Sequence, residues 1–248
     1  MVEQVNSLRT GVKYKNTPIG KIPVDWEVVP LRAVSEINMG QSPPSRDCNE
    51  HGEGLPFYQG NAEFGPVYPS PRKWCNRPKK LADEGDILIS VRAPVGEINI
   101  APHKCCIGRG VAAIKAKEVH DGFLYQSMLL RRKALQNMAQ NSTSGAINRR
   151  ELSEMLILLP SPAEQKKIAE ILTTLDDAIE KTAQIIEKTK LFKKGLMQRP
   201  VKKQKKVDEV LDPVDDDIEK ESDYKEQLKS LKKALIQVLL TGKLRLEV

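Results

Sequence analysis

No C-x-x-C pair occurs in this chain of 248 residues. Its four cysteines are Cys48, Cys75, Cys105 and Cys106, and neither a signal peptide nor a long apolar run accompanies them. A reduced, soluble, cytoplasmic protein without membrane contact is therefore expected. Cys48 with His51, and His103 with Cys105, are conceivable zinc ligands. Their spacing is irregular, so free thiols are favoured and no metal is expected. The glycine clusters spell neither G-x-x-x-x-G-K-[ST] nor G-x-G-x-x-G, so no nucleotide loop is read. A Ser-His-Asp signature, a paired-carboxylate motif and HExxH are missing too, and the three histidines are scattered. The lone Pro-Pro, in Ser42-Pro43-Pro44-Ser45, lacks the Asn or Asp before it and the aromatic after it that amino-methyltransferases place around a target base. The chain reads as a binder rather than an enzyme.

Proline and glycine are also absent between Pro162 and Gly195. Apolar residues in that interval fall on a heptad. One row is Ile168, Leu175, Thr182, Thr189 and Leu196; the next is Ile171, Ala178, Ile185 and Phe192. Leu172, Ile179 and Ile186 widen the stripe. This spacing predicts one amphipathic helix over 161–198, about ten turns and ~50 Å long at 1.5 Å per residue. That is too long to lie across one small domain, so the stripe needs a partner in the same chain or another. Ile168, Ile171, Leu175, Ala178, Ile185, Phe192 and Leu196 are the candidate contact residues for a dimer or partner.

Composition is globular, with 40% hydrophobic and 29% charged residues, and the net charge is +7 with a pI of about 9.1. Residues 1–160 hold 21 Lys and Arg against 16 Asp and Glu, whereas residues 161–248 hold 19 against 17. The positive excess thus sits before the long helix, which suits a domain that touches nucleic acid and an arm that touches protein.

Residues 1–20 are polar and aperiodic and are expected to form a loose extension. Residues 21–160 are expected to form one α+β domain. Trp26 is its core anchor beside Pro23, and Asp86–Val91, Ile98–Ala101, Val111–Ile114 and Met155–Leu159 are strands. Gly122–Ala139 is read as a single helix with Arg131, Arg132 and Lys133 facing out. The stretch Arg72–Lys80 carries Arg72, Lys73, Arg77, Lys79 and Lys80 with no acidic residue, and Trp74 sits among them. Basic side chains interleaved with an aromatic suit a phosphate backbone, and a solvated loop with Trp74 turned inward is the equal alternative. Arg109 lies between Gly108 and Gly110, where the backbone can approach a ligand or turn sharply. The polar run Asn141–Asn148 fits a phosphate-contacting loop or a plain connector. Residues 199–222 are read as a charged linker, because four lysines and then an acidic block dominate it. A shorter helix over 223–243 follows, with Leu228, Leu231, Leu235, Val238 and Leu239 on one side. Its Lys229–Gln237 segment echoes Lys190–Gln198.

Several stretches, in order, resemble the specificity subunit of type I restriction–modification systems. They are Ile22-Pro23-Val24-Asp25-Trp26 and Leu31; Asp86-Ile-Leu-Ile-Ser-Val-Arg92 with Pro94, Val95 and Gly96; and Ile107-Gly108-Arg109-Gly110. Further on come Ile147–Pro160 with Glu164-Gln165-Lys166-Lys167-Ile168-Ala169, and Leu239-Leu240-Thr241-Gly242-Lys243. The resemblance implies a double-stranded DNA reader whose methylation and cleavage belong to partner methyltransferase (M) and restriction (R) subunits. S-adenosylmethionine, ATP and magnesium would then belong to those partners, and this chain would carry no cofactor. Family members commonly alternate two recognition domains with two helices, whereas one domain is found here. The resemblance therefore implies a half-length form whose two copies pair through antiparallel helices, each copy reading an inverted half of a split target. The alternative within one chain is that the second helix folds back and shields part of the stripe. Candidate DNA contacts are Gln59, Asn61, Arg72, Lys73, Arg77, Lys79, Lys80 and Arg109, with Ser142, Thr143 and Ser144 for phosphates. The competing function is a coiled-coil adaptor whose basic domain reads no sequence.

Overall fold

A computed structural model describes residues 13–142, 145–197 and 204–246. The chain divides into two compact units, one running to Ala169 and resuming at Leu240, the other Glu170–Leu239.

The first unit opens with a hairpin, β1 (Tyr14–Thr17) and β2 (Gly20–Pro23). This corrects the expected loose extension from Tyr14 onward; residues 1–12 lie outside the described part. The turn closes because Gly20 takes φ +117°, a region open to glycine. After β3 (Glu27–Pro30) and the one-turn helix α1 (Leu31–Val34) come β4 (Ser35–Met39), β5 (Cys48–Asn49), β6 (Leu55–Tyr58), β7 (Lys73–Cys75) and β8 (Leu81–Ala82). They are followed by β9 (Ile87–Ser90), β10 (Ile98–Ile100), β11 (Cys105–Ile107) and β12 (Val111–Ala116). Helices α2 (Asp121–Leu130), α3 (Arg132–Gln140) and α4 (Arg149–Ser153) precede β13 (Leu156–Leu159), which pairs with β3.

Two larger sheets result. One is antiparallel in the order β10-β9-β12-β4; the other runs β5-β7-β6-β11-β8, with β6 and β11 parallel. Period-two alternation decides what each face buries. Ile87, Ile89, Ala112 and Ile114 pack toward Leu124, Met128 and Leu135 of the helices. Leu88, Val111 and Ala113 point the other way and meet Tyr58, Ala82, Cys105 and Ile107 of the second sheet. Phe57, Cys75 and Cys106 then line that sheet's outer face. The layering is helices, sheet, sheet, an α+β architecture.

The stretch read as one helix over 122–139 is two. The break falls at Arg131, at φ −84° and ψ 0°, whose N–H still reaches the carbonyls of Ser127 and Met128. Arg131 is half-buried rather than outward, and that burial pulls its guanidinium pKa down.

Past the second unit, the tail returns to the start of the first. Arg245 makes paired hydrogen bonds to Asp25, at 2.8 and 2.7 Å, and to the fully buried Glu164, at 2.7 and 3.0 Å. It lies 5.8 Å from the Trp26 ring centroid, and the Trp26 indole N–H donates to Glu164 at 3.0 Å. Tyr14 donates to the Gly242 carbonyl at 3.2 Å.

The second unit is a helical hairpin. α5 (Pro162–Met197) enters it, and α6 (Gln204–Leu239) returns; each helix has 36 residues. The region read as a linker is thus helix from Gln204, with Pro213 inside it. An apolar stripe overrides the acidic block and the proline. Leu211, Val214, Ile218, Leu228, Leu235 and Leu239 fall on one helical face, at steps built from threes and fours, and are buried or half-buried. Two ion pairs fix the direction, Lys193 with Asp215 and Lys232 with Asp176. From Lys193 back to Asp176 and from Asp215 forward to Lys232 is seventeen residues each, so the helices are antiparallel. Among the described residues, no helix is long and apolar enough to cross a membrane.

Candidate nucleic-acid interface

At one end of the two sheets, short backbone hydrogen bonds tie several segments edge to edge. Gly40 N–H reaches the Val111 carbonyl at 2.9 Å, and Gln41 N–H reaches Ile107 at 3.0 Å. Gly108 N–H reaches Tyr58 at 2.9 Å, and Gly110 N–H reaches Gln59 at 3.1 Å. Val91 N–H takes the Gly110 carbonyl and Ile147 N–H takes that of Val91, both at 2.9 Å. This edge therefore gathers the ends of β4, β6 and β9, the β11–β12 turn and the segment at Ile147. Glu63 adds to it by accepting from the backbone N–H groups of Gln59 and Gly60 at 3.3 and 3.1 Å.

Beside the edge lies an open cavity of about 360 Å³. Gln59, Lys73 and Arg109 line it together with Ser42, Ser45, Asn49 and Glu50. Ser42 Oγ accepts from the Arg109 N–H at 3.2 Å and holds that turn. Lys73 lies 3.4 Å from Glu50, both side chains largely exposed. In charge and donor content this surface suits the rim of a nucleic-acid duplex.

The expected contacts are thus only partly brought together. Gln59, Lys73 and Arg109 converge. Arg72 is exposed just before Lys73. Asn61 is half-buried at the start of a 3-10 turn, where its carbonyl accepts from Phe64. Arg77 departs from the far end of β7, since Cys75 pairs with Leu55, the first residue of β6. Lys79 and Lys80 are exposed where the chain returns beside Ile107, whose N–H bonds the Lys80 carbonyl. Trp74 is half-buried in β7, between its two proposed orientations. Ser142 is half-buried with its N–H on the Ala139 carbonyl, and Thr143 and Ser144 lie outside the described residues. Sequence reasoning missed Ser45 and Asn49, which look like ordinary turn residues. Only the register Asn49 to Trp74 brings that loop to the cavity.

The thiols beneath this surface are packing groups. Burial pushes Cys105 and Cys106 up to about 12 and raises Cys48, so all three are neutral near pH 7. Among the described residues no cluster of three or more His, Cys, Asp or Glu is placed to hold a metal.

In the hairpin, the two expected rows separate. Leu172, Thr182 and Ile186 are buried and Leu175, Ile179 and Leu196 are half-buried, which makes them the seam facing α6. In the other row, Ile171 and Ala178 are half-buried, while Ile185 and Phe192 are 46% and 60% exposed. Ile168 is buried within the first unit. The matching row on α6 holds the exposed Asp217, then Tyr224 and Leu231, 51% and 48% exposed, and Val238, so it is apolar over its last three positions. In both helices that row precedes the seam by one residue. In an antiparallel pair, equivalent flanking rows lie on the same side. The hairpin therefore has one apolar side beyond its own seam, and opposite it a side holding Asp176, Lys190, Asp215 and Lys229.

Together these features define a two-sheet domain with a polar, charged edge and a helical-hairpin unit. A family model described as the type I restriction modification DNA specificity domain matches residues 23–191, and the chain belongs to that family. It is 46% identical over 184 residues to a putative type I restriction enzyme MjaX specificity subunit of Methanocaldococcus jannaschii, covering 71% of this chain and 43% of that protein. The MjaIX specificity subunit of the same organism is 30% identical over 198 residues, covering 74% and 46%. The crystal structure of an HsdS subunit from Thermoanaerobacter tengcongensis superposes with a TM-score of 0.57 at 30% identity, covering 97% of this chain and 49% of that one. The chain thus spans about half the length of the relatives it matches.

Proposed function

We propose that this chain supplies DNA sequence specificity to a type I restriction–modification complex by reading one half of a bipartite target. The polar edge and cavity at Gln59, Lys73 and Arg109 face the duplex. Two copies associate through the apolar side of the hairpin, forming a four-helix contact that gives two reading domains related by two-fold symmetry. The helices separate the half-sites and dock the M and R subunits, which perform methylation and cleavage with their own cofactors. The chain itself is non-catalytic.

The observation that carries this reading is the family match joined to the uncovered apolar row of Ile185, Phe192, Tyr224 and Leu231. The side left over on the hairpin supplies the surface for a second copy. The test is sedimentation of the full chain followed by reconstitution with an M subunit. A dimer at micromolar concentration, and DNA methylation at one split, inverted motif that requires this chain, are expected. A stable monomer would remove the pairing. Binding that shows no sequence preference with or without the M subunit would leave a coiled-coil adaptor instead.

A further inference from the structure

Gln41, Gln59 and Arg109 combine exposed side chains with backbones tied to neighbouring segments. All three side chains are exposed, and none makes a hydrogen bond or ion pair with a described residue. Their backbones, in contrast, are held by hydrogen bonds to other segments. Gln41 and Arg109 are fixed through Ile107 and Ser42, and Gln59 through Gly110 and Glu63. The segments also approach too closely for any side chain between them. A Cβ at Gly40 would overlap the carbonyls of Gly108 and Val111, and one at Gly110 would overlap the Gln59 carbonyl.

Phosphate grips tolerate flexible side chains, because a phosphate offers charge without a fixed donor pattern. Reading a base edge needs donors and acceptors held in register by rigid elements. We propose that Gln41, Gln59 and Arg109, carried on three segments locked edge to edge, are the base-reading set of this protein. Arg109 pairs with the O6 and N7 acceptors of a guanine. Each glutamine pairs its amide with the N6 donor and N7 acceptor of an adenine. The lysines at 79 and 80, exposed on a connecting segment, grip phosphates. This rests on the DNA-reading function proposed above and assigns which side chains perform it.

The experiment selects double-stranded DNA from a random pool with the full chain, alone and with a co-expressed M subunit, and measures affinity for the selected motif and its single-base variants. Arg109→Ala, Gln59→Ala and Gln41→Ala are compared with Lys79→Ala/Lys80→Ala. Each reader variant should fold with an unchanged melting temperature and lose about 5- to 150-fold on the motif. Each should become indifferent at one base position and keep its affinity for random DNA. The lysine variant should lose affinity on all sequences alike. Reader variants that select the wild-type motif with wild-type affinity would overturn the assignment while leaving DNA reading intact. A wild-type chain that selects no motif in either form would overturn both.

Discussion

The two units solve the same problem, holding chain segments at fixed spacing, by different means. In the sheet unit the spacing is set by backbone. Hydrogen bonds of 2.9 to 3.1 Å join Gly40, Gln41, Gly108 and Gly110 to neighbouring strand ends, and Gly40 and Gly110 admit no side chain between them. In the helical unit the spacing is set by side chains. Leu172, Thr182, Ile186 and Leu228 fill the seam, and the ion pairs Lys193–Asp215 and Lys232–Asp176 select one register. Backbone spacing tolerates no change at the packed position but leaves outward side chains free to vary, as a reading surface requires. Side-chain spacing tolerates conservative repacking and can expose a second apolar row, as a docking surface requires.

The largest test strikes the tail clasp of the sheet unit. Arg245→Ala leaves the carboxylate of Glu164, fully buried, with the Trp26 indole as its one side-chain donor among the described residues. Breaking one side of a buried pair costs about 3–5 kcal/mol. Denaturant unfolding should show that loss. Arg245→Ala/Glu164→Gln should recover part of it, because a neutral amide no longer buries a charge. An unchanged midpoint in the single variant would mean that the clasp is solvated and the tail detachable.

The next contrast lies within the helical unit. Ile186→Ala removes a buried side chain and should cost about 2–4 kcal/mol. Phe192→Asp alters a side chain 60% exposed and should cost less than about 0.5 kcal/mol in stability. In sedimentation, however, Phe192→Asp should weaken self-association at least tenfold, whereas a pure loss of stability would not. Equal effects of the two substitutions on both measurements would erase the distinction between seam and docking row.

These contrasts track what was legible in sequence. The heptad over Ile168–Leu196 predicts α5 because a period of 3.5 survives any context, but it does not say which row meets α6 and which stays open. α6 was missed before residue 223 because Pro213 and the acidic run 215–217 outweigh Leu211, Val214 and Ile218 in composition, though not in packing. The central strands were readable from β-branched runs, since Ile87–Ser90 alternates between two buried faces. The reading edge was only half legible. Arg109 stands out between two glycines, whereas Gln41 follows a glycine whose role depends on a carbonyl sixty-eight residues later, at Gly108. Close backbone approach between distant strands leaves no periodicity to find.

A smaller effect separates phosphate grip from base reading on the same domain. Lys79→Ala and Lys80→Ala should each reduce the slope of log affinity against log salt by about 1, with no change in the preferred sequence. Titrations at several salt concentrations measure this directly. An unaltered slope would place the 79–80 segment away from the duplex.

The smallest effect concerns acid. The Arg245 guanidinium holds the Asp25 carboxyl below its ordinary range, chiefly through their hydrogen bonds. A carboxylate whose folded pKa is depressed stabilises the fold above its unfolded value, near 4, and loses that contribution as pH falls through the folded one. Asp86 works in the opposite sense, since burial raises its pKa and its charge costs the fold more as pH rises. Asp25 is 57% exposed at its side chain, so its share is screened and amounts to less than about 1 kcal/mol. Wild-type stability should therefore fall slightly more between pH 5 and pH 3 than that of Asp25→Asn, which lacks this carboxyl and keeps Glu164 paired with Arg245. A steeper fall in the variant would assign the acid sensitivity to some other carboxylate. The clasp would then be a geometric link between the two ends of the unit and contribute nothing to its titration.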